Sequence, residues 1–380
     1  MLLLATGIGL RFLGDGFGFQ LNNTSVLLDL FGTIGLIMIV LEGSLDLEVT
    51  RKKLPLVGKS FLSSILILTG TCALIYLVLH NYLGMPFRNS VIYSIPLGIV
   101  SSAIAIPSVK DLSEHKKEFI IYESTFSDIV GIMVFDFAIL DNAFSSDAFK
   151  DFFLNLLYII VISFISSALL VLMLNRITSH IKSFLIFAIL ILVYSVGKVF
   201  HLPSLLLILT FGVMLNNNKY FIKGKLAKVL YIEKMSLVTL ELKLLTAESA
   251  FLVRTFFFIL FGYTMNLKLL LAPEVVITGT AIIACVLLAR YVFLRFISKV
   301  HVIPELFVAP RGLVTVVLFY SIPASFVSQA FNLGILYYVI IVSSLIMMLG
   351  LMFTKTQYSE TDTILLGEEK PEGDVFTQIK

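Results

Sequence analysis

Long apolar stretches recur along almost the whole chain, and they constrain its fold more than any other feature. Each is close to the roughly 20 residues that an α-helix needs to cross the hydrocarbon core of a bilayer. Of the 380 residues, 58% are hydrophobic and only 14% are charged. A soluble globule of this composition would expose large apolar surfaces. The sequence therefore predicts an all-α polytopic membrane protein.

Twelve apolar windows can be delimited, which predicts about twelve transmembrane helices. They lie at 1–13, 25–43, 56–80, 90–109, 118–140, 152–175, 183–200, 202–216, 249–266, 274–294, 304–324 and 332–354. The first window is too short to span a bilayer. Either the N-terminus is missing or misassigned, or a short first helix tilts or only half-inserts.

The basic residues provide a test of this topology. If residue 1 is cytoplasmic and each window crosses once, 21 of the 28 Lys and Arg residues fall on the cytoplasmic side, including Arg254 near the start of window nine. Five fall on the opposite side, and Arg290 and Arg311 lie within windows. The positive-inside rule predicts such an excess. The net charge of +3 therefore indicates topology, with a cytoplasmic C-terminus, and not affinity for nucleic acid.

One connection is long enough to form an element of its own. Residues 217–248 carry six lysines, and Leu237, Leu240 and Leu244 share one helix face. This pattern is typical of an interfacial amphipathic helix, so a cytoplasmic amphipathic linker is predicted there. Residues 1–354 are predicted to form the transmembrane domain, and 355–380 a short cytoplasmic tail.

Window five contains two carboxylates at membrane depth, Glu123 and Asp128. Ser124, Ser127 and Asp128 share one helix face because Ser124 lies three and four residues before the other two. Carboxylate and hydroxyl oxygens suit a hard cation, and a carboxylate that alternately binds H⁺ and a cation is the minimal chemistry of exchange. The alternative is a pair of helix-end carboxylates that reach water or cap the helix.

Window ten contains Arg290, which needs a partner if it faces the protein interior. Few acids are available at membrane depth, and Glu123 is the expected partner. Asp128 is then free to titrate. The alternative is that Arg290 extends along the helix towards Arg295 and the cytoplasmic surface.

Windows four and eleven each carry an interruption. In window four it is Ala105-Ile106-Pro107, and in window eleven it is the stretch around Arg311 and Gly312. Each window is the middle member of a triplet, windows three to five and ten to twelve. Paired interruptions of this kind predict an inverted-repeat transporter with broken helices and a site near the midplane of the membrane.

Arg311 has two possible roles in such a site. It would neutralise the negative C-terminal end of a half-helix, or it would hold a carboxylate. The alternative is an arginine that reaches the cytoplasmic surface, since Glu305 lies nearby at the start of the same window.

With these motifs the chain resembles the monovalent cation/proton antiporters that include sodium/proton exchangers. The likeness is carried by the apolar run 35–43 that ends in Glu42-Gly43, the Pro107 break, the stretch 123–128, and Arg290 followed by Arg311-Gly312. It implies an inverted repeat with two crossed broken helices in a core, about 56–140 and 274–354. The remainder would form a dimerisation scaffold.

The resemblance also implies roles for single residues. Asp128 matches the family's essential ion-binding aspartate, Ser124 a hydroxyl ligand, and Glu123 the glutamate that pairs with an arginine, here Arg290. Ser127 stands where the family commonly has Asn or Asp.

Ala105-Ile106-Pro107 stands where the family commonly has Thr-Asp-Pro. The cation shell expected for this chain is therefore Asp128, Ser124, backbone carbonyl groups at the break, and water.

The predicted function is secondary antiport of a monovalent cation, Na⁺ or K⁺, against H⁺ by a homodimer in the plasma (inner) membrane, without a cofactor and in the service of pH homeostasis. With Glu123 neutralised and Asp128 as the one titrating group, exchange is predicted to be electroneutral. A symporter of organic anions or a cation channel of the same fold is the alternative. An enzyme is not expected, because Ser101-Ser102 and Ser343-Ser344 have no histidine or second carboxylate within a turn.

Overall fold

The computed structural model describes residues 2–17, 24–47, 50, 52–140, 154, 157–158, 161–165, 182–199, 204–217, 232–298 and 302–366. Within these ranges the regular structure is helical. The α-helices include α1 (Leu2–Phe17), α2 (Thr24–Asp46), α3 (Leu54–Asn81), α4 (Phe87–Gly98), α5 (Ser102–Ser108), α6 (Glu114–Ala138), α7 (Lys182–Val199), α8 (Ser204–Asn216), α9 (Ile232–Thr264), α10 (Leu267–Leu270), α11 (Pro273–Val292), α12 (Leu313–Tyr320) and α13 (Leu333–Leu366). A π-helical turn, Phe293–Ser298, extends α11, and a short 3₁₀ turn, Ala324–Phe326, follows α12.

The fold class predicted from composition is confirmed. Six described segments are long and apolar enough to cross a membrane: Val26–Asp46, Leu54–Asn81, Phe87–Ser108, Thr239–Thr264, Pro273–Phe296 and Leu333–Thr354. Most of the predicted window 152–175 lies outside the described residues. The count of twelve helices therefore stays a prediction.

Two predicted boundaries have no counterpart in the helices. The linker predicted at 217–248 is described from residue 232, and there it continues without a helix end at 248 into α9, which runs to Thr264. The polar tail predicted from 355 begins inside α13, which ends only at Leu366. Residues 218–231 and 367–380 lie outside the described ranges.

The break in window four lies earlier than predicted. Helix α4 ends at Gly98, residues 99–101 are extended, and α5 begins at Ser102. Ala105, Ile106 and Pro107 therefore lie inside α5, which corrects their assignment to the break. Pro107 is tolerated there because α5 ends one residue later, so the missing N–H removes a single helical hydrogen bond. The extended residues instead occur where a second interrupted segment crosses.

That second segment differs from the predicted broken helix, because only its C-terminal half is helical. Residues 302–312 form turns and extended backbone, and α12 begins at Leu313, directly after Arg311 and Gly312. The two segments meet where the Ser101 N–H donates to the Pro310 carbonyl oxygen at 2.9 Å. A Cβ added to Gly312 would lie 2.6 Å from the Ser101 Oγ, so a larger residue would force the Ser101 side chain to shift at this crossing.

Helix packing places the two triplets against each other. Helix α3 contacts α4, α6 and α11, and α11 contacts α13. Helix α9 packs on α1 and α2, while α2 also contacts α6 and α12. Small residues allow a close crossing of α1 and α9, since a Cβ on Gly7 of α1 would overlap the Ile259 carbonyl oxygen of α9. The division into core and scaffold stays a prediction.

Arginines close two helix ends in these packed elements. At the end of α9, Arg11 donates to the carbonyl oxygens of Thr264 and Met265 at 3.3 and 2.7 Å. Just beyond the end of α6, Arg88 donates to the Leu140 carbonyl oxygen. The last carbonyl groups of a helix have no partner within the helix, and a positive charge there also opposes the helix dipole. Two of the five basic residues assigned to the non-cytoplasmic side are thus helix caps.

Candidate functional site

Asp128 lies on α6 directly against the break in window four. The residue is 1% exposed. The Ser102 N–H donates to Asp128 Oδ2 at 3.1 Å, and the Ser102 hydroxyl donates to the same oxygen. The other carboxylate oxygen, Oδ1, is buried and has no hydrogen-bond partner among the described residues. Ser102 therefore fixes Oδ2, while Oδ1 remains able to accept a hydrogen bond or bind a cation.

The unpaired Oδ1 atom of Asp128 can bind a proton or a cation. Leaving a buried acceptor unpaired costs about 1–3 kcal/mol, and more when the group is charged. A proton on Asp128 Oδ1 removes the buried charge, a cation beside Oδ1 compensates that charge, and the two cannot occupy the same oxygen together. The geometry thus supports alternative binding of H⁺ and a cation.

The two serines predicted as ligands are both buried on α6. The Ser127 hydroxyl accepts a hydrogen bond from the Val100 N–H of the break at 3.0 Å. The Ser124 hydroxyl donates to the Ile121 carbonyl oxygen of its own helix at 3.3 Å. Ser127 therefore fixes the break against α6, and the Ser124 oxygen keeps its capacity to accept. Their role as cation ligands stays a prediction.

Glu123 and Arg290 form a buried bidentate ion pair between α6 and α11. The Arg290 Nη1 and Nη2 atoms lie 2.5 and 2.8 Å from Glu123 Oε1 and Oε2, and both residues are 1% exposed. Arg290 Nε donates to the Glu305 carbonyl oxygen at 2.7 Å. Such complete hydrogen bonding is what allows an ion pair to be buried.

The Glu305 side chain is a further buried carboxylate beside this pair. It is 1% exposed, and its Oε1 lies 3.8 Å from Lys116 Nζ. From the sequence, Glu305 was expected only as a surface partner of Arg311. The position of Glu305 at the start of an apolar window was the sequence signal that could have indicated its burial.

Arg311 is 1% exposed and bridges the two interrupted segments. Its Nε and Nη2 donate to the carbonyl oxygens of Leu97 and Gly98, at the C-terminal end of α4, at 2.8 and 3.0 Å. Its Nη1 donates to the Ala309 carbonyl oxygen at 2.6 Å, and its backbone N–H donates to the Ser343 hydroxyl at 3.1 Å. Among the roles considered from sequence, the structure places Arg311 at a half-helix end and not at a carboxylate or the surface.

Two features of this region were missed from sequence. Ser102 was considered only as a possible nucleophile, yet it binds Asp128. Arg254 was counted as a cytoplasmic charge, yet it lies within the span Thr239–Thr264 and pairs with Glu42, with Nη2 and Oε2 3.3 Å apart. An arginine flanked by apolar residues inside window nine was the signal for this pair.

Further hydroxyl groups are available on the elements that meet here. The Oγ of Ser101 at the break, and the Oγ1 atoms of Thr125 on α6 and Thr315 on α12, are buried and have no hydrogen-bond partner among the described residues. They add oxygen acceptors to the region, which already includes the backbone of the two breaks.

Comparison with known proteins agrees with this architecture. The family model described as "Sodium/hydrogen exchanger, transmembrane" matches residues 1–355. The structure of the sodium proton antiporter MjNhaP1 from Methanocaldococcus jannaschii at pH 8 superposes with a TM-score of 0.68 and 18% identity, covering 93% of this chain and 91% of that one. A structure from electron microscopy of the same protein gives a TM-score of 0.63 at 18% identity, covering 98% and 97%.

Because the sequence identity is only 18%, these structural matches show the shared fold alone. No curated protein matches the sequence.

Proposed function

The chain belongs to the sodium/hydrogen exchanger family, and from this premise we propose that it is a secondary antiporter that exchanges a monovalent cation, Na⁺ or K⁺, for H⁺. The observation that carries the proposal is Asp128 at the crossing of two interrupted segments, with Oδ2 held by Ser102 and Oδ1 unpaired. The site contains an acceptor that either H⁺ or a cation satisfies.

In this mechanism the two ions compete for Asp128. Ser102 keeps Oδ2 fixed, so the incoming proton or cation meets Oδ1 in a constant orientation. Ser124, Ser127, backbone carbonyl groups and water supply the remaining oxygen atoms around the cation. Movement of the core against the scaffold would expose the loaded carboxylate to one side of the membrane at a time.

The stoichiometry follows from the state of the neighbouring carboxylate. Glu123 is neutralised by Arg290 through two hydrogen bonds, and both residues are buried. One titrating carboxylate then carries either one H⁺ or one monovalent cation. The exchange is therefore electroneutral.

Assembly and location are part of the same proposal. Family resemblance supports a homodimer whose scaffold forms the contact between copies. The distribution of basic residues supports a cytoplasmic C-terminus, and a plasma or inner membrane location fits a cation/proton antiporter.

Transport in proteoliposomes tests the proposal. A pH gradient is imposed, and its dissipation by Na⁺, K⁺ or Li⁺ is followed with a fluorescent pH indicator. We expect dissipation with Na⁺, K⁺ or both, and none with Asp128→Asn. Asp136→Asn is the matched control, since Asp136 is an exposed aspartate on the same helix. Retention of cation-dependent proton flux in Asp128→Asn would remove Asp128 from the mechanism.

An imposed membrane potential tests the stoichiometry and the alternative functions. Electroneutral exchange should be insensitive to the potential, so a rate that follows the potential would contradict a one-for-one exchange. Cation flux without countermovement of protons would instead identify a channel. Proton flux that requires an organic anion would identify a symporter.

A further inference from the structure

Arg254 is a charged residue at membrane depth for which the exchange mechanism above has no role. It lies well inside the span Thr239–Thr264 of α9 and is 9% exposed. A guanidinium in this position must be paired, and ionisable residues within spanning segments are commonly functional.

The partners of Arg254 lie on helices assigned to different predicted units of the protein. Its Nη2 lies 3.3 Å from both carboxylate oxygens of Glu42 on α2, which belongs to the predicted scaffold. Its Nη1 donates to the carbonyl oxygen of Ala103 on α5, at 3.5 Å. One guanidinium therefore binds a carboxylate of the predicted scaffold and the backbone of the predicted core.

The sequence of α5 explains why this carbonyl group is available. In an unbroken helix the Ala103 oxygen would accept from the N–H of residue 107, but Pro107 has no N–H. The Arg254 side chain is placed to supply the missing donor. Because Pro107 cannot donate to it, the Ala103 carbonyl oxygen is available to a donor from the predicted scaffold.

Ala103 is also directly connected to the ion site. It follows Ser102, whose N–H and hydroxyl both hold Asp128. A displacement of α5 relative to the scaffold therefore moves the donor group of Asp128 and stretches the contact between Arg254 and Ala103.

A charge on the predicted core also acts on the Glu42 carboxylate. Lys110, just beyond α5, attracts the Glu42 carboxylate electrostatically, while Asp46 on α2 repels it. Glu42 is thus paired with a cation of the predicted scaffold, Arg254, and is attracted by a cation of the predicted core, Lys110. Movement of the core relative to the scaffold would change the attraction by Lys110.

We propose that Arg254 is a positioning residue for transport: together with Glu42 it holds α5 against the scaffold in the observed conformation, and it releases the Ala103 carbonyl group when the core moves. The conformational part of this inference stands on the contacts alone. Its consequence for transport rate rests on the proposed function.

A distance measurement between core and scaffold tests the conformational part. Cysteines replace Lys59 on α3 and Glu241 on α9, both exposed, in the full chain carrying Cys72→Ser and Cys285→Ala. Spin labels on these sites report a distance distribution by pulsed electron paramagnetic resonance in nanodiscs. We expect one dominant distance with Arg254 present, and a second population in Arg254→Gln/Glu42→Gln.

The two substitutions are made together because Glu42 alone would be left as a largely buried, unpaired charge. Arg254→Lys provides a second test that keeps the charge. A lysine lacks the planar fork with which Arg254 binds the carboxylate and the carbonyl oxygen simultaneously, so the second population is expected there too. An unchanged distribution in both variants would overturn the proposal.

The ion pair between Lys243 and Asp46 is a matched control. It joins the same two helices, α9 and α2, with Nζ and Oδ1 2.7 Å apart. Lys243→Gln breaks this ion pair but keeps the Asp46 charge that acts on Glu42, and it should leave the distance distribution unchanged. An equal second population in this control would show a general loosening of the scaffold and would contradict a specific role for Arg254.

Transport measurements on the same variants separate this proposal from the proposed function. Loss of a hydrogen bond worth about 1 kcal/mol changes a rate or an equilibrium about fivefold. We expect a change of that size in the maximal exchange rate of Arg254→Gln/Glu42→Gln, with Asp128 still required. If the unsubstituted protein shows no exchange, the proposed function fails, while the distance measurement still decides the role of Arg254.

Discussion

Replacing Glu123 by Gln should destabilise the protein strongly, because it removes one partner of a buried ion pair. The carboxylate accepts two hydrogen bonds from Arg290, at 2.5 and 2.8 Å, and both residues are 1% exposed. Removing one member of such a pair leaves an uncompensated charge, which costs about 3–5 kcal/mol. The bond from Arg290 Nε to the Glu305 carbonyl oxygen remains, so we expect the lower half of that range.

Reversible unfolding in mixed micelles would measure the free energies of a double-mutant cycle made of Glu123→Leu, Arg290→Met and the double variant. Glu123→Leu/Arg290→Met should recover most of the stability, because the desolvation of both charges disappears together with their attraction. With about 3–5 kcal/mol lost in each single variant and about 1 kcal/mol or less in the double variant, the coupling energy between the two sites should be about 5 kcal/mol or more. Additive single-site effects would refute the argument that the pair is held as a unit.

A second ion pair on α6 provides the matched control for this cycle. Lys53 and Glu118 approach to 2.6 Å, but their side chains are 29% and 21% exposed. A partly exposed pair contributes only about 0–1 kcal/mol, so Glu118→Gln should change stability little. If the double variant at Glu123 and Arg290 also retains exchange, the pair has a structural role.

Three further substitutions test the environment of the ion site. Ser102→Ala removes one of the two donors that hold Asp128 Oδ2, and loss of a hydrogen bond worth about 1 kcal/mol should lower the exchange rate at a fixed pH about fivefold; an unchanged rate would contradict this contact. Arg311→Met leaves three buried carbonyl groups without their donor and should cost about 3 kcal/mol of unfolding free energy, with only partial recovery in Arg311→Lys. Gly312→Ala places a Cβ against the Ser101 hydroxyl and should cost about 1–3 kcal/mol; a neutral effect would show that the crossing is looser than described.

Residue types at membrane depth allowed much of this region to be predicted from sequence. A bilayer offers few partners for an ionised group, so Glu123 and Arg290 could be matched although they are far apart in the chain. The same reasoning left Asp128 as the titrating residue, and the structure brings it to a break in window four. These predictions rest on the cost of burying charge, which does not depend on details of the fold.

The position of the break could not be obtained in this way. Proline is the strongest local signal for an interruption, and it led to Pro107, yet the chain is extended at residues 99–101, where no proline stands. The interruption occurs there because Ser101 meets Pro310 of the second segment, and this contact depends on tertiary structure. Ser102 was missed for the same reason, since its partner is brought to it by the crossing.

Arg254 shows a different limit of sequence analysis. A charge near the edge of an apolar window can belong to the surface or to the interior, and the positive-inside count assigned it to the surface. The continuous helix α9, Ile232–Thr264, extends the apolar segment towards the N-terminus and places Arg254 inside it. The predicted start of window nine was therefore the reason why Arg254 was assigned to the surface.

Proton release on cation binding tests the central claim most directly. Purified protein is held in a weakly buffered solution at a pH where Asp128 is protonated, and Na⁺ or K⁺ is added while a pH indicator and calorimetry record protons and bound cations together. Competition at Asp128 predicts one proton released for each cation bound, and neither binding nor release in Asp128→Asn. Cation binding without proton release, or release that persists in Asp128→Asn, would contradict a single carboxylate shared by the two ions.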